Sequence, residues 1–469
     1  MVGGGLAGLS SAVALAESGL RVRLLEKRPY LGGRATSYVL PDGSLVDNCQ
    51  HVTMGCCTNL ADFYRRTGVA EKIRHYDRLF FADGDGRRSQ MHASPLPAPF
   101  HLAPSFLRFG ALAWKDKYCI GKLMLSIARC GGAMPDADGV SMMDWLRRHG
   151  QTDAAINLFW ETVLVSALSE RLSQTDARYG VEVFWKGFLA NRSGCTLGIP
   201  SVPLAELYAG CRKSVESRGG AVLCRAGVKG ILYGSEKCTG VRMENGDPVQ
   251  ADAVIVAVPY DVLPALIPAD LIEGSTELRD LRHLKNSPIT SVHLWFDRAV
   301  MDEPFLTVLD KMVQWVFNKS LLNRGLNGAK PEGAIQYLQA VISASDELVQ
   351  LPRQEILARC VDDLGGVLPG VRGACVVKGT VIKEVAAVFS PSPGVDRWRT
   401  GPESPIEGMW LAGDWTRTGW PATMEGAVRS GYRAAEALLK SCGKAQTFLQ
   451  PDLPAEGFSK RWAADRLRN

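Results

Sequence analysis

Apolar and polar positions divide the start of the chain into helix and strand. A run of small and apolar residues from Leu6 to Ala16, free of charge until Glu17, predicts a buried helix over about Leu6–Glu17. After Ser18-Gly19, the stretch Arg21–Leu25 predicts a strand that ends at Glu26. Between about 220 and 259 short strand-like runs are separated by turn residues. Asn245-Gly246 marks a hairpin turn there, and Ala253–Val258 reads as a buried strand. Val292–Phe296 reads as a strand, with His293 in a structural place. Near the far end, Trp410-Leu411-Ala412 predicts a short apolar strand, and a helix begins at Met424. Helices and strands that succeed one another in this way predict the α/β class.

Composition changes this picture little. At about 100–200 residues per domain, 469 residues imply two to three domains, or two interleaved ones. A hydrophobic fraction of 46% and a charged fraction of 22% are those of an ordinary globular chain. The net charge of +5 is small, so no nucleic-acid partner is expected, although it suits a mildly basic face on anionic lipid. The 12 cysteines are scattered apart from Cys56-Cys57, and none pairs at zinc spacing. Reduced thiols in a cytoplasmic protein, and no metal site, are the simplest reading. No secretory signal precedes the glycine-rich start, and no run of about 18 apolar residues predicts a transmembrane helix.

The glycines carry the first chemistry. Gly3, Gly5 and Gly8 form G-x-G-x-x-G ahead of the helix. The first permits a tight turn, the second lets a phosphate approach the backbone, and the third lets helix and strand pack closely. The helix start at Leu6-Ala7 then aims its amides at a pyrophosphate. Glu26 closes the second strand, where a carboxylate accepts from ribose hydroxyls, and Lys27 follows it. Alone, the glycine pattern is equally a turn without a ligand; the helix, strand and acid in the right order make it a dinucleotide site. Only Met1 and Val2 precede the glycines, where about five strand residues are expected. Either the start is misplaced or the first strand is truncated, and a strand so short would weaken cofactor retention.

Gly32-Gly33-Arg34 adds a second glycine turn and a cation for the same diphosphate. This element just after the ribose acid resembles the flavin amine oxidase and phytoene desaturase superfamily, and the resemblance implies FAD, bound non-covalently. At the far end, Gly413-Asp414 ends a strand and Met424-Glu425-Gly426-Ala427 opens a helix. Small residues there let the helix N-terminus approach a flavin, whose negative charge when reduced its amides stabilise. Asp414 is placed for the ribityl hydroxyls. The plainer reading is an ordinary strand–loop–helix corner. Gly-Asp followed by Met-Glu-Gly-Ala looks like the carotenoid desaturase side of the superfamily; amine oxidases more often carry Glu at the position of Asp414. In related flavoproteins the section after 220 returns to the FAD domain, which places Val228 against the adenine. The expected fold is therefore mixed α/β. A Rossmann-type FAD-binding domain is assembled from 1–75, 196–262 and 375–442, with an interleaved substrate-binding domain from 76–195 and 263–374.

Residues 42–57, DGSLVDNCQHVTMGCC, cross over the flavin in that superfamily. The run Asp47-Asn48-Cys49-Gln50-His51 with Gly55-Cys56 resembles the bacterial hydroxysqualene dehydroxylases of hopanoid synthesis. Stretches at 62–68, 100–104, 159–161, 167–170 and 198–204 extend the resemblance from Gly3 to about Ala435. Cys49 departs from it, standing where glycine is usual. The resemblance implies loss of an allylic hydroxyl and gain of a hydride, from hydroxysqualene to squalene; no separate site for an electron donor is evident. His51 is the candidate general acid, oriented by Asp47 or Gln50. The bland alternative makes Gln50 and His51 hydrogen-bonded supports of a turn.

The segment 95–115, PLPAPFHLAPSFLRFGALAWK, mixes Phe100, Phe106, Phe109 and Trp114 with prolines and bases. It reads as a peripheral contact with the inner face of the cytoplasmic membrane, as the mouth of a tunnel for an apolar isoprenoid, or as helices packed on the core. Three rival functions share the motifs. A carotenoid or phytoene desaturase runs the hydride the other way, a flavin amine oxidase is disfavoured by Asp414, and a non-catalytic prenyl-lipid binder would resemble the GDP-dissociation inhibitors.

Overall fold

The structure is a computed structural model and describes residues 1–323 and 332–466. A parallel sheet forms around the glycine loop, in the order Ala221–Leu223, Arg23–Leu25, Val2, Val254–Val256 and Met409–Leu411. Its strands come from the three separate stretches that the sequence joins. The short first strand is held from both sides: Val2 N donates to Ile255 O at 2.9 Å and Gly3 N to Leu25 O at 2.9 Å. Parallel strands covered on both faces must be apolar throughout, as Val254–Val256 is.

The helix Leu6–Glu17 has the bounds its apolar run predicts. It packs on the helix Met424–Ser441 so closely that a Cβ on Gly431 would lie 2.1 Å from Ser10 Oγ. Ser11 Oγ donates to Gly431 O at 2.6 Å across this crossing. The strands Val228–Gly234, Lys237–Met243 and Pro248–Gln250 form an antiparallel meander, with Asn245-Gly246 in its second turn.

The rest of the chain builds a seven-stranded mixed sheet, ordered Val376–Phe389, Asn286–Phe296, Gln336–Ser343, Trp315–Asn318, Phe305–Val308, Arg78–Ala82 and Arg88–His92. The division at 375 groups the first of these with the nucleotide-binding part. Its ladder to Asn286–Phe296, from Phe389 to Val376, places it in the large sheet instead, and the chain rejoins the parallel sheet at Met409. His293 is buried in this sheet, hydrogen-bonded to Tyr337 OH at 2.6 Å and Ser291 Oγ at 3.2 Å, a structural place. The helices Trp114–Arg129, Thr162–Leu168 and Ala177–Phe184 contribute to the same core as Phe305 and Phe317 of the sheet. No helix among the described residues is long and apolar enough to cross a membrane.

Candidate active site

The two glycine turns meet. Gly5 bridges to Gly32, and a Cβ on Gly33 would stand 3.1 Å from Gly5 Cα. On Gly8 a Cβ would lie 2.0 Å from Gly3 O, so that position accepts no side chain. No side chain caps the helix that starts at Leu6-Ala7, and Gly5 is its N-cap. Its first amides therefore face the turn, as an anion site requires. Glu26 is buried beside them: Oε2 accepts from Gly4 N at 2.6 Å and Oε1 from Arg28 N at 2.7 Å. Each carboxylate oxygen keeps a further lone pair for a ribose hydroxyl. Val228 opens its strand two residues after Ala226, whose N–H donates to Glu26 O at 2.8 Å. Lys27 is not brought in; it lies on the surface against Glu244 at 2.9 Å.

Arg34 and Asp414, 380 residues apart, meet at 2.8 Å. Gly413 N donates to Ser430 Oγ at 2.9 Å, which pins the strand end to the helix that begins at Met424. Thr423 Oγ1 caps that helix by accepting from Gly426 N at 3.0 Å, and Ala427 completes its first turn. Glu425 behaves differently from the expectation. Its carboxylate is buried and accepts from Asn59 N at 3.1 Å, Leu60 N at 2.7 Å and Arg429 Nε at 2.7 Å. It caps the helix Thr58–Arg66, so Glu425 offers a cofactor only its main chain.

From Arg34 the chain of contacts continues toward the large sheet. Asn48 Nδ2 donates to Arg34 O at 2.9 Å. Next to it lies a buried ion pair: Lys319 Nζ donates to Asp47 Oδ2 at 2.7 Å and to Gln50 Oε1 at 2.7 Å. Burial alone would raise the Asp47 carboxyl, but the Lys319 charge, Ser37 Oγ and Leu204 N outweigh it and hold it below the ordinary value. Lys319, which follows the strand Trp315–Asn318, was not singled out by any motif in the sequence.

Asp47 and Gln50 do not serve His51 as expected. Asp47 is spent on Lys319, Ser37 and Leu204, and Gln50 Nε2 donates to the backbone O of His51 at 3.0 Å. The ring is tied to Cys49 O at 3.0 Å through Nδ1. Burial pushes the imidazole below its ordinary pKa, so the neutral form is favoured at pH 7. A carbonyl only accepts, so neutral His51 carries its proton on Nδ1 and a lone pair on Nε2. In that form it takes a proton and cannot give one. Cys49 is buried and its thiol is pushed up to about 12, chiefly by burial.

Gln50 also borders a cavity of about 410 Å³. Its walls are almost wholly apolar: Val52 and Met54 beside Gln50, Ile120 and Met124 from one helix, Phe317 and Val341 from the large sheet. Two π-helical turns, Ile156–Glu161 and Trp185–Leu189, bring Phe159 and Phe188 to the same space. The segment 95–115 supplies a further wall, with Pro99, Phe106 and Phe109 lining the cavity. Lys117 is buried at the edge, its Nζ donating to Leu107 O at 2.8 Å.

Comparison with known proteins agrees with this geometry. A family described as flavin containing amine oxidoreductase matches residues 6–439. The chain is 27% identical to the 15-cis-phytoene desaturase of Capsicum annuum, over 94% of this chain and 77% of that one. It is 26% identical to a probable zeta-carotene desaturase of Synechococcus elongatus, over 94% and 98%. Among solved structures, an oxidoreductase of Methanosarcina mazei superposes with a TM-score of 0.71 at 18% identity, covering 94% of this chain and 99% of that one. A putrescine oxidase bound to putrescine superposes at 0.69 with 16% identity, over 94% and 98%.

Proposed function

The chain belongs to the flavin-containing amine oxidoreductase family and is an FAD-dependent oxidoreductase, and from that premise we propose that it removes the hydroxyl of hydroxysqualene reductively to give squalene. One observation carries this reading: the Arg34–Asp414 junction leads through Asn48 to Gln50, which is a polar group in the lining of an apolar cavity. The curated relatives, named as desaturases of phytoene and zeta-carotene, support an isoprenoid as substrate.

The reaction needs a proton on the departing hydroxyl and a hydride on carbon: R–OH, H⁺ and H⁻ give R–H and water. An allylic alcohol suits it, because loss of water leaves a delocalised cation. The glycine turns at Gly3–Gly8 and Gly32–Gly33, with Asp414, are the residues that would hold FAD without a covalent link, and the reduced cofactor would supply the hydride. The protein excludes water with the walls around Phe106 and Phe159 and fixes the chain along the sheet. His51 in its neutral form is not the acid; only the doubly protonated ring would be, and burial opposes that. The surface beside the cavity wall, where Trp114 and Tyr118 are exposed, is the face we assign to the inner surface of the cytoplasmic membrane.

A second reading has its own support. A desaturase takes a hydride and then a proton from its substrate, and the lone pair on His51 Nε2 suits that direction. The two separate anaerobically. Reduced holoenzyme given hydroxysqualene should reoxidise with one squalene formed per flavin. Reoxidation without squalene, or none with substrate dispersed, rejects the proposal; bleaching of the oxidised enzyme by phytoene would then establish the desaturase.

A further inference from the structure

We propose that Gln50 is the residue that selects an oxygen-bearing isoprenoid over the bare hydrocarbon, and that Lys319 is the positioning residue that aims it. The inference rests on the reading of the cavity as an isoprenoid site. An amide can present either its oxygen or its nitrogen, and rotation about its last bond exchanges them at little cost. Here the choice is fixed. Lys319 can only donate, and it holds Gln50 Oε1 at 2.7 Å. Lys319 is itself fixed by Asp47 at 2.7 Å, and both are about 1–2% exposed. Gln50 is therefore held by its oxygen, and the Nε2 end carries two N–H groups, of which His51 O takes one at 3.0 Å. The amide borders the cavity, so its remaining N–H is the donor offered to a ligand oxygen there.

Position along the cavity makes this specific. Asn318, next to Lys319, pairs with Leu338, while the cavity-lining Ser343 lies five residues farther along that strand. At about 3.4 Å per residue, the two ends are roughly 17 Å apart. The hydroxyl of Ser343, at the far end of that strand, thus cannot address the same ligand atom as Gln50. An oxygen held at Gln50 places its carbon on the Asn48–Arg34 side, where the cofactor's redox end is expected.

The test uses oxidised holoenzyme, which binds hydroxysqualene without turning it over. Perturbation of the flavin spectrum reads the dissociation constants of hydroxysqualene and squalene. Wild type should prefer the alcohol about tenfold, as one hydrogen bond provides. Gln50→Met should abolish that preference and leave squalene binding within about twofold. Lys319→Arg should keep the preference. The charge-free pair Asp47→Asn with Lys319→Met avoids an unpaired buried carboxylate and should lose it. An intact preference in Gln50→Met, with FAD content unchanged, overturns the inference even if the enzyme makes squalene. Conversely, an alcohol preference that Gln50→Met abolishes, in a protein that never makes squalene, upholds the inference and rejects only the proposed reaction.

Discussion

The glycine-turn region and the apolar cavity meet at Arg34, Asn48 and Gln50, yet they are built by opposite means. The glycine region is made of main chain at contact distance: Gly5 against Gly33, Gly8 over Gly3 O, and Glu26 on two amides. It depends on what is absent at a few positions. The cavity is made of side chains from five or more separate stretches. Main-chain packing therefore tolerates almost no change, whereas a wall of side chains tolerates many changes of shape. That difference predicts steep losses in the first region and graded ones in the second.

Gly8→Val is the sharpest way to break the first region. Its Cβ would fall 2.0 Å from Gly3 O, so strand and helix must separate. Holoprotein should fail to form, read as loss of the flavin absorbance after purification and a lowered melting temperature. Retention of a full complement of FAD would refute the account of the turn.

Lys319→Met comes next, at the junction of the two regions. It leaves Asp47 buried without its counter-charge and should cost about 3–5 kcal/mol, measured by urea unfolding. Adding Asp47→Asn should recover most of that loss. No recovery would mean that Lys319 acts through packing and not through charge.

Met124→Trp tests the second region alone. A larger ring from that helix should occupy the cavity, weaken isoprenoid binding about tenfold and leave FAD content unchanged. Titration of the flavin spectrum with squalene decides it. Loss of FAD instead would tie the two regions more closely than the contacts around Arg34 imply.

The same contrast governs what could be read from the sequence. The helix Leu6–Glu17, the turn at Gly3–Gly8 and the acid Glu26 are local, and local spacing announces them. The meeting of Arg34 with Asp414 was legible only as two halves of one resemblance. Lys319 gave no signal, because its meaning comes from Asp47, 272 residues away. Glu425 was legible as part of a motif but not as a cap on a distant helix. Val376–Phe389 shows the same limit: its pairing with Asn286–Phe296, far earlier in the chain, is fixed by tertiary packing and has no local signal. For 95–115, composition left membrane, tunnel and core open. The structure makes Pro99, Phe106, Leu107 and Phe109 part of the cavity wall and leaves Trp114 exposed outside it.

The smallest effect concerns acid, and it separates the regions by pH. His101 of the cavity-wall segment is fully buried, with neither ring nitrogen partnered among the described residues, and burial pushes it down to about 4. His293 in the large sheet is pushed down to about 3 by the same cause. Their folded values lie below the unfolded value near 6.5, so the unfolded chain binds protons first. The stability they hold is complete above about pH 6.5 and is lost as pH falls toward their folded values. Asp47 also titrates lower in the folded state, but its window opens only below the ordinary carboxylate value of 3.8. Between pH 7.5 and 4.5 the melting temperature should therefore fall through the histidines and not through the Asp47 pair. His101→Leu should flatten that slope, and at pH 7.5 it should cost little, since it buries no unpaired nitrogen. An unchanged slope in His101→Leu would show that its ring reaches solvent on acidification and that the wall built by 95–115 is looser than its packing indicates.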